Sequence, residues 1–520
     1  MRLLQTLILA PLGLGLWCQQ AVAAGKATHV VLIVWDGMRP DFVTPETAPT
    51  LCQLARDGVT FLHHHPVYVS VTEVNATALA TGVYPGQSGV IGNNDYRPAI
   101  DPLRAIESDS MGAIRKGDTN LPQHFIAFPT VAEILHANGL RTAITGTKPV
   151  ALLHDRAARP DGDPNVTVFA GETLPADLKD KLYQELGRFP PPGTNKIKLD
   201  QWTTAALTGP LWKDGVPAFS LLWMAEPDFS QHRTAPGSPE ALKGIKGDDD
   251  NLAHLLQVLK DNKALDSTDI IIVSDHGFST VYEEVDVAAT LNQSGLHAFR
   301  KAPEGGFTNG DIMVVGNAGG VFCYVKGEDQ GEIEKAVHCL QAQSFAGVIF
   351  SRTPVEGAFP LADAHLDSAA SPDIVVVMRW KPGLNKFGAP VLICSDSHSY
   401  TPGRGTHGTL SLTDMHNIGF AAGPDFARGM IDSLPSGNID IAPTILWILG
   451  VTPEKKMTGR VLTEALTIPG PPVESSQTHH QEATFKGDGF VWHQYLDWSS
   501  VNGVCYLDQG NGRQEKAGSP

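Results

Sequence analysis

The stretch VVLIVWDGMRPDF, residues 30–42, decides the fold. Residues 30–35 are apolar without interruption and rich in β-branched side chains. A strand with one wet face alternates apolar and polar residues. An unbroken run is buried on both faces, as in a parallel sheet covered by helices on either side. The run ends on Asp36, where the strand leaves the sheet. A carboxylate there is costly unless it is paired, hydrogen-bonded or bound to a metal. Asp-Gly is equally good turn chemistry, so this stretch alone leaves a capped turn and a ligand both open.

Outward from it the pattern repeats. Residues 141–145, 219–224, 269–274 and 418–422 read as strands, and 48–57, 131–137, 238–259 and 439–449 as helices. The alternation predicts an α/β fold with a largely parallel central sheet and helices on both faces. Residues 99–128 read as irregular. Residues 281–405 interrupt the alternation with strands at 321–325 and 373–378 and a helix near 332–340, and are expected to form an inserted cap or subdomain. After about Pro469 the chain turns polar and proline-rich, as in a linker. The expected organisation is a catalytic domain over 25–467, then a linker and tail over 468–520, with 490–507 aromatic enough to dock.

The chain has 520 residues, 42% of them hydrophobic, and a formal charge of −17. That length implies one large domain with insertions or two domains. The acidity argues against a nucleic-acid scaffold, which needs a basic surface. It does not exclude a small phosphate-containing substrate, because bound metal ions reverse the charge locally. Residues 1–24 read as a secretory signal: Arg2, an apolar stretch to Trp17, and a small-residue cleavage site at Ala21-Val22-Ala23-Ala24. No later stretch is long and apolar enough to span a bilayer. The expectation is a periplasmic or secreted protein without a transmembrane segment. Five of the six cysteines follow the signal, so one or two disulfides are allowed, while the absence of CxxC argues against a cysteine zinc site.

In α/β sheets ligands gather at the carboxyl ends of the strands. Strand 30–35 ends in Asp36, strand 219–224 is followed by Asp228 and His232, strand 269–274 by Asp275-His276-Gly277, and GRGTHG carries His407. Imidazole nitrogen mixed with carboxylate oxygen suits borderline divalent metals. If 228–232 is helical, Asp228 and His232 share a face; the same spacing also makes a surface ion pair. His63, His64 and His65 precede Pro66 and read as a loop rather than a ligand set. Ser70 and Thr72 precede a segment that can form a helix through Ala80. A hydroxyl at a helix N-terminus sits where backbone N–H groups favour an anion, although capping is the common use of Ser and Thr there.

In order along the chain, the pieces are Asp36-Gly37, Thr72, Thr81-Gly82-Val83-Tyr84-Pro85, Asn93, Glu226-Pro227-Asp228, His232, Ser274-Asp275-His276-Gly277 and His407-Gly408. This series resembles the alkaline phosphatase superfamily, and within it the nucleotide pyrophosphatase/phosphodiesterase group, over roughly residues 27–466. The resemblance implies a two-zinc site, with manganese the less favoured metal. Asp36, Asp275 and His276 match the ligands of the ion that holds the nucleophile. Asp228, His232 and His407 match those of the second ion, Thr72 the nucleophile and ligand, and Asn93 a contact to a phosphoryl oxygen. It implies cleavage of phosphodiester or pyrophosphate bonds through a phospho-threonine, on a nucleotide or a phospholipid-headgroup diester.

The match departs in two places. The group usually has Lys before the nucleophile and Phe-Pro after it; here Val71 precedes, and Glu73-Val74 follow. Glu73 could repel a dianionic monoester, meet a cationic part of a substrate, or face away, the last being the expectation. No nucleobase-clamping aromatic residue is identifiable. A phosphomonoesterase therefore stays an alternative, although its extra positive charge has no placed source, as does a phosphonoacetate hydrolase-like C–P hydrolase. A metal-stabilised binding protein without turnover is the reading from another class. Oligomeric state is not fixed by the sequence.

Overall fold

The computed structural model describes residues 25–516, apart from 192, 194 and 397–399. The expected signal at 1–24 lies outside the described residues. A nine-stranded sheet runs through the molecule. In chain order its strands are β1 (His29–Trp35), β2 (Val59–His65), β3 (Thr142–Gly146), β4 (Val166–Phe169), β5 (Glu172–Leu174), β6 (Phe219–Met224), β7 (Thr268–Val273), β8 (Gly419–Ala422) and β9 (Met430–Gly437). Across the sheet they lie in the order β9-β2-β8-β7-β1-β6-β3-β4-β5.

β1 sits in the middle, parallel to β6 and β7, and β3 continues parallel beyond β6. The largely parallel sheet is therefore as expected; β8 departs from it, running antiparallel to both β2 and β7, as does the edge strand β5, antiparallel to β4. The unbroken apolar run has its reason in two separate cores. Val30, Leu32 and Val34 face one, with residues from helices Thr72–Thr81, Val131–Ala137 and Asn438–Ile448. Val31, Ile33 and Trp35 face the other, with residues from helices Pro49–Asp57, Lys196–Thr208 and Pro239–Asp261. Each such side chain contributes about 1.5–3 kcal/mol by leaving water. Because β1, β3, β6 and β7 are parallel, the residues that follow them all emerge along one edge of the sheet.

Three sequence readings need correction. His63–65 do not form a loop: they end β2, with His64 and His65 buried. The polar histidines concealed a strand whose rings are satisfied inside, His64 by Ser436 Oγ and Asn438 Oδ1 and His65 by Asp508. Residues 99–128 are not uniformly irregular, since Met111–Asn120 is a helix; its two glycines and mixed charges blurred the period. The segment read as linker and tail becomes, from Gln477 to Lys516, a three-stranded antiparallel sheet. Trp492, Leu496, Tyr506 and Leu507 from that sheet are buried.

The region expected as an insertion holds a six-stranded sheet that includes Ile312–Asn317 and Gly320–Val325, and a smaller four-stranded one. Strand Ala346–Ser351 of the former packs on the C-terminal sheet, and Gln494 bonds both the N–H and the carbonyl of Ile349. Among the described residues five cysteines are free, so neither of the allowed disulfides is formed. No helix there is long and apolar enough to cross a membrane.

Candidate two-metal active site

Asp36 leaves β1 and is fully buried; Trp223 Nε1 donates to its Oδ2 at 2.8 Å. Gly37 takes a left-handed φ of +69°, and a Cβ there would collide with Phe278; its N–H donates to Asp275 Oδ1 at 2.9 Å. Asp228 opens the helix Asp228–Thr234, which puts His232 one turn on along the same face. Asp275 and His276 follow β7, and His407 follows the short strand Gly405–Thr406.

These residues assemble into two cradles. In the first are Asp36, Asp275 and His276; in the second Asp228, His232 and His407, with ligand atoms within 4.8 Å of one another in each group. Asp36 Oδ1, Asp275 Oδ2 and Asp228 Oδ1 are buried without a hydrogen-bond donor. His276 Nε2 lies 3.2 Å from Asp275 Oδ2, and His232 Nε2 lies 3.0 Å from Asp228 Oδ1. Each ring is oriented through its other nitrogen by a backbone carbonyl: His276 by Gly277 at 2.9 Å, His232 by Gly405 at 3.0 Å, His407 by Ser70 at 2.9 Å. That arrangement places the Nδ1 proton on the carbonyl side and leaves the Nε2 lone pair facing the carboxylate oxygens. Orphaned buried carboxylate oxygens opposite free imidazole lone pairs fit a pair of divalent cations. His276 and His407 stack at 3.6 Å and bring the cradles side by side.

Burial, reinforced by Asp275, pushes Asp36 up to about 8, and burial pushes Asp275 up to about 7. Burial acts the same way on Asp228, but His232, Lys148 and His407 outweigh it and hold that carboxyl well below its ordinary range. Burial holds the His276 and His407 imidazoles below their ordinary value.

Thr72 is the first residue of its helix. The capping role is not its own: the N-cap is Val71, with no side-chain cap. Thr72 Oγ1 is buried and lies 3.3 Å from His276 Nε2. Asn93 Oδ1 accepts the Glu73 N–H at 3.0 Å, which turns its amide nitrogen the other way. Every residue proposed from sequence is therefore brought to one place.

Three residues were missed, Lys148, Tyr400 and Asn75, and the direction of a fourth, Glu73, was misread. Lys148 follows β3 and bridges the cradles, with Nζ 2.8 Å from Asp36 Oδ2 and 2.7 Å from Asp228 Oδ2. The rule that ligands follow parallel strands pointed at it. Tyr400 lies flat on His232; no periodic signal marks it. Glu73 does not face away: it is buried, Oε2 has no hydrogen-bond partner, and burial together with Asp109 pushes its carboxyl well up. Asn75 ties down the loop before Thr72. It accepts from Val67 N and donates to the carbonyls of Val67, Val69 and Val71. Asn438 donates both to Asn75 and to the Asp275 carbonyl. Asn75→Ala leaves several buried groups unpaired and is expected to lower stability by about 3 kcal/mol, measured by urea unfolding.

The sequence model of the type I phosphodiesterase / nucleotide pyrophosphatase family matches residues 30–383. The chain belongs to that family. As a type I phosphodiesterase / nucleotide pyrophosphatase it is a phosphoric ester hydrolase, with an α/β fold. It is 23% identical over 440 residues to the human ectonucleotide pyrophosphatase/phosphodiesterase family member 7, covering 83% of this chain and 81% of that protein. It is 25% identical over 254 residues to the Xenopus laevis bis(5'-adenosyl)-triphosphatase enpp4, covering 48% of this chain and 47% of that protein. Murine ectonucleotide pyrophosphatase/phosphodiesterase 5 shares the fold with a TM-score of 0.60 at 16% identity, over 84% of this chain and 100% of that one. An inactive variant of the same murine protein in complex with AMP aligns with a TM-score of 0.61 at 16% identity, over the same shares.

Proposed function

We propose that this family member is an exported phosphodiesterase or pyrophosphatase that acts through a phospho-threonine on Thr72 at a two-zinc site. The observation that carries the reading is the pairing of orphaned carboxylate oxygens with free Nε2 lone pairs in both cradles, with Thr72 Oγ1 beside one of them. Mixed imidazole and carboxylate donors favour zinc over manganese. When bound, the ions supply Lewis acidity and positive charge for the hydroxyl, the phosphoryl group and the departing oxygen.

The rest is done by the chain. The helix that begins at Thr72 directs backbone N–H groups at the phosphoryl oxygens. Asn93, fixed through its carbonyl by Glu73 N–H, offers its amide to one of them. Asp36, Asp228 and Asp275 hold three negative charges against two dications, and Lys148 adds a further positive one. The names of the relatives, and the AMP carried by the murine neighbour, support a small nucleotide substrate; a phospholipid-headgroup diester has the same reacting bond.

Lys148 also favours a second reading. It is a source of the extra positive charge that a dianionic monoester needs. The test is zinc-loaded protein with bis-p-nitrophenyl phosphate and p-nitrophenyl phosphate side by side. The diester is expected to turn over faster. Lys148→Met is expected to slow the monoester by about tenfold or more and the diester less, the worth of one charge-assisted hydrogen bond. A monoester preference in the wild type moves the protein to the phosphomonoesterases, and silence on both leaves phosphonate cleavage or binding alone.

A further inference from the structure

Tyr400 stands seven residues before His407. Its ring is parallel to the His232 imidazole, with centroids 4.1 Å apart and planes 7° from each other, and its hydroxyl is 3.4 Å from His232 Nε2. In a parallel stack the hydroxyl lies over the imidazole face, out of the plane of the Nε2 lone pair. It therefore leaves that lone pair to the cradle and keeps its own proton free to donate. His232 Nδ1 is already engaged by Gly405 O, so the nitrogen beneath the phenol is the one turned toward Asp228.

Direction along the reaction axis is set by Thr72. Its Oγ1 lies on the His276 side. In an in-line displacement at phosphorus the departing oxygen leaves opposite the attacking one, which is the side of Asp228, His232 and His407. Resting on the function proposed above, we propose that Tyr400 is a catalytic residue: its phenol donates a hydrogen bond to the oxygen that departs from phosphorus. As the bond from Thr72 Oγ1 to phosphorus forms, the bond from phosphorus to the ester oxygen breaks. The electron pair stays on that oxygen, the Thr72 proton is lost to solvent, and the departing oxygen takes a proton from solvent. Tyr400 keeps its own proton and lowers the cost of the charge that develops beside it.

The experiment compares Tyr400→Phe with wild type on the phenyl and p-nitrophenyl esters of thymidine 5'-monophosphate. Phenylalanine preserves the stack on His232 and removes only the hydroxyl. Phenolate is the more basic leaving group and needs the donor more. Its kcat/KM is expected to fall by about thirtyfold, as for a hydrogen bond to a charged group, and that of the p-nitrophenyl ester by no more than about threefold. A second readout needs no turnover: in cobalt-loaded protein, the pH midpoint of the visible spectrum is expected to move up in the variant by about one unit, the same donor's worth. Equal losses on the two esters, or an unmoved midpoint, overturn the assignment of Tyr400. Wild-type inactivity on both esters, with metal bound, overturns the proposed function and the role of Tyr400 together.

Discussion

Thr72→Ala is expected to abolish turnover, by about 10⁴-fold or more, while the protein folds and keeps both metal ions. Few residues allow so clean a separation. The side chain is buried, but it caps nothing: the helix begins after Val71, whose side chain makes no cap bond. Alanine is the best helix former, so Thr72–Thr81 persists. The Oγ1 atom lies 3.3 Å from His276 Nε2, and its loss leaves Asp36, Asp275 and His276 still grouped. A hydroxyl is a weak nucleophile at its free pKa and no neighbour replaces it. Steady-state assays on bis-p-nitrophenyl phosphate, zinc content and the thermal midpoint check the three parts. Near-wild-type turnover would sink Thr72 as the nucleophile; loss of zinc would make it a structural ligand.

The second large effect is expected from metal removal, and its sign depends on pH. Without metal, Asp36 and Asp275 titrate near 8 and 7 because burial, and for Asp36 also Asp275, disfavours their charge. Unfolded, both return toward 3.8. A carboxyl raised in the folded state contributes stability that is complete below its unfolded value and lost as pH rises through the folded one. From these two groups alone the metal-free protein is expected to lose at most about 10 kcal/mol between about pH 4 and pH 8. Cations that displace those protons bind more tightly as pH rises, by about tenfold or more per unit between pH 5 and 7. His276 and His407, held below their unfolded value of 6.5 by burial, gain stability as pH rises toward that value and offset part of this loss. Thermal melts of chelator-treated and zinc-loaded protein across this range, with zinc affinity measured by chelator competition, give the comparison. A gap between loaded and stripped melting points that narrows as pH rises would contradict the crowding of Asp36 and Asp275.

Much of this architecture was legible in the sequence because burial on two faces leaves an unmistakable mark. Residues 30–35, 219–224 and 269–274 read as strands and are β1, β6 and β7 to within a residue. What escaped was polar and buried. His64 and His65 interrupt the apolar pattern of β2, yet Ser436, Asn438 and Asp508 satisfy them inside, and such partners are invisible until the chain is folded. The residues assigned to the cradles carry their own chemistry, and the structure brings all six together. Lys148 does not, because a lysine after a strand is ordinary. Only its distances to Asp36 and Asp228 single it out, whereas Glu73 stood out by its place after Thr72 and only its burial with an unpartnered Oε2 shows its direction. In the C-terminal strands proline and polar residues at 469–480 suggested a linker, and long-range pairing overrode that local character.

The placement of β2 also bears on when the protein can become active during its synthesis. His64 bonds Ser436, 372 residues away, and His65 bonds Asp508, 443 residues away. Such distant closures are slow to find and leave a growing chain open for long. A nascent polypeptide halted just before Met430 would carry Thr72 and all six residues of the cradles. It would still lack β9, the Asn438 that braces Asp275 and Asn75, and the sheet that holds His65. On this geometry hydrolytic competence waits until translation is nearly finished.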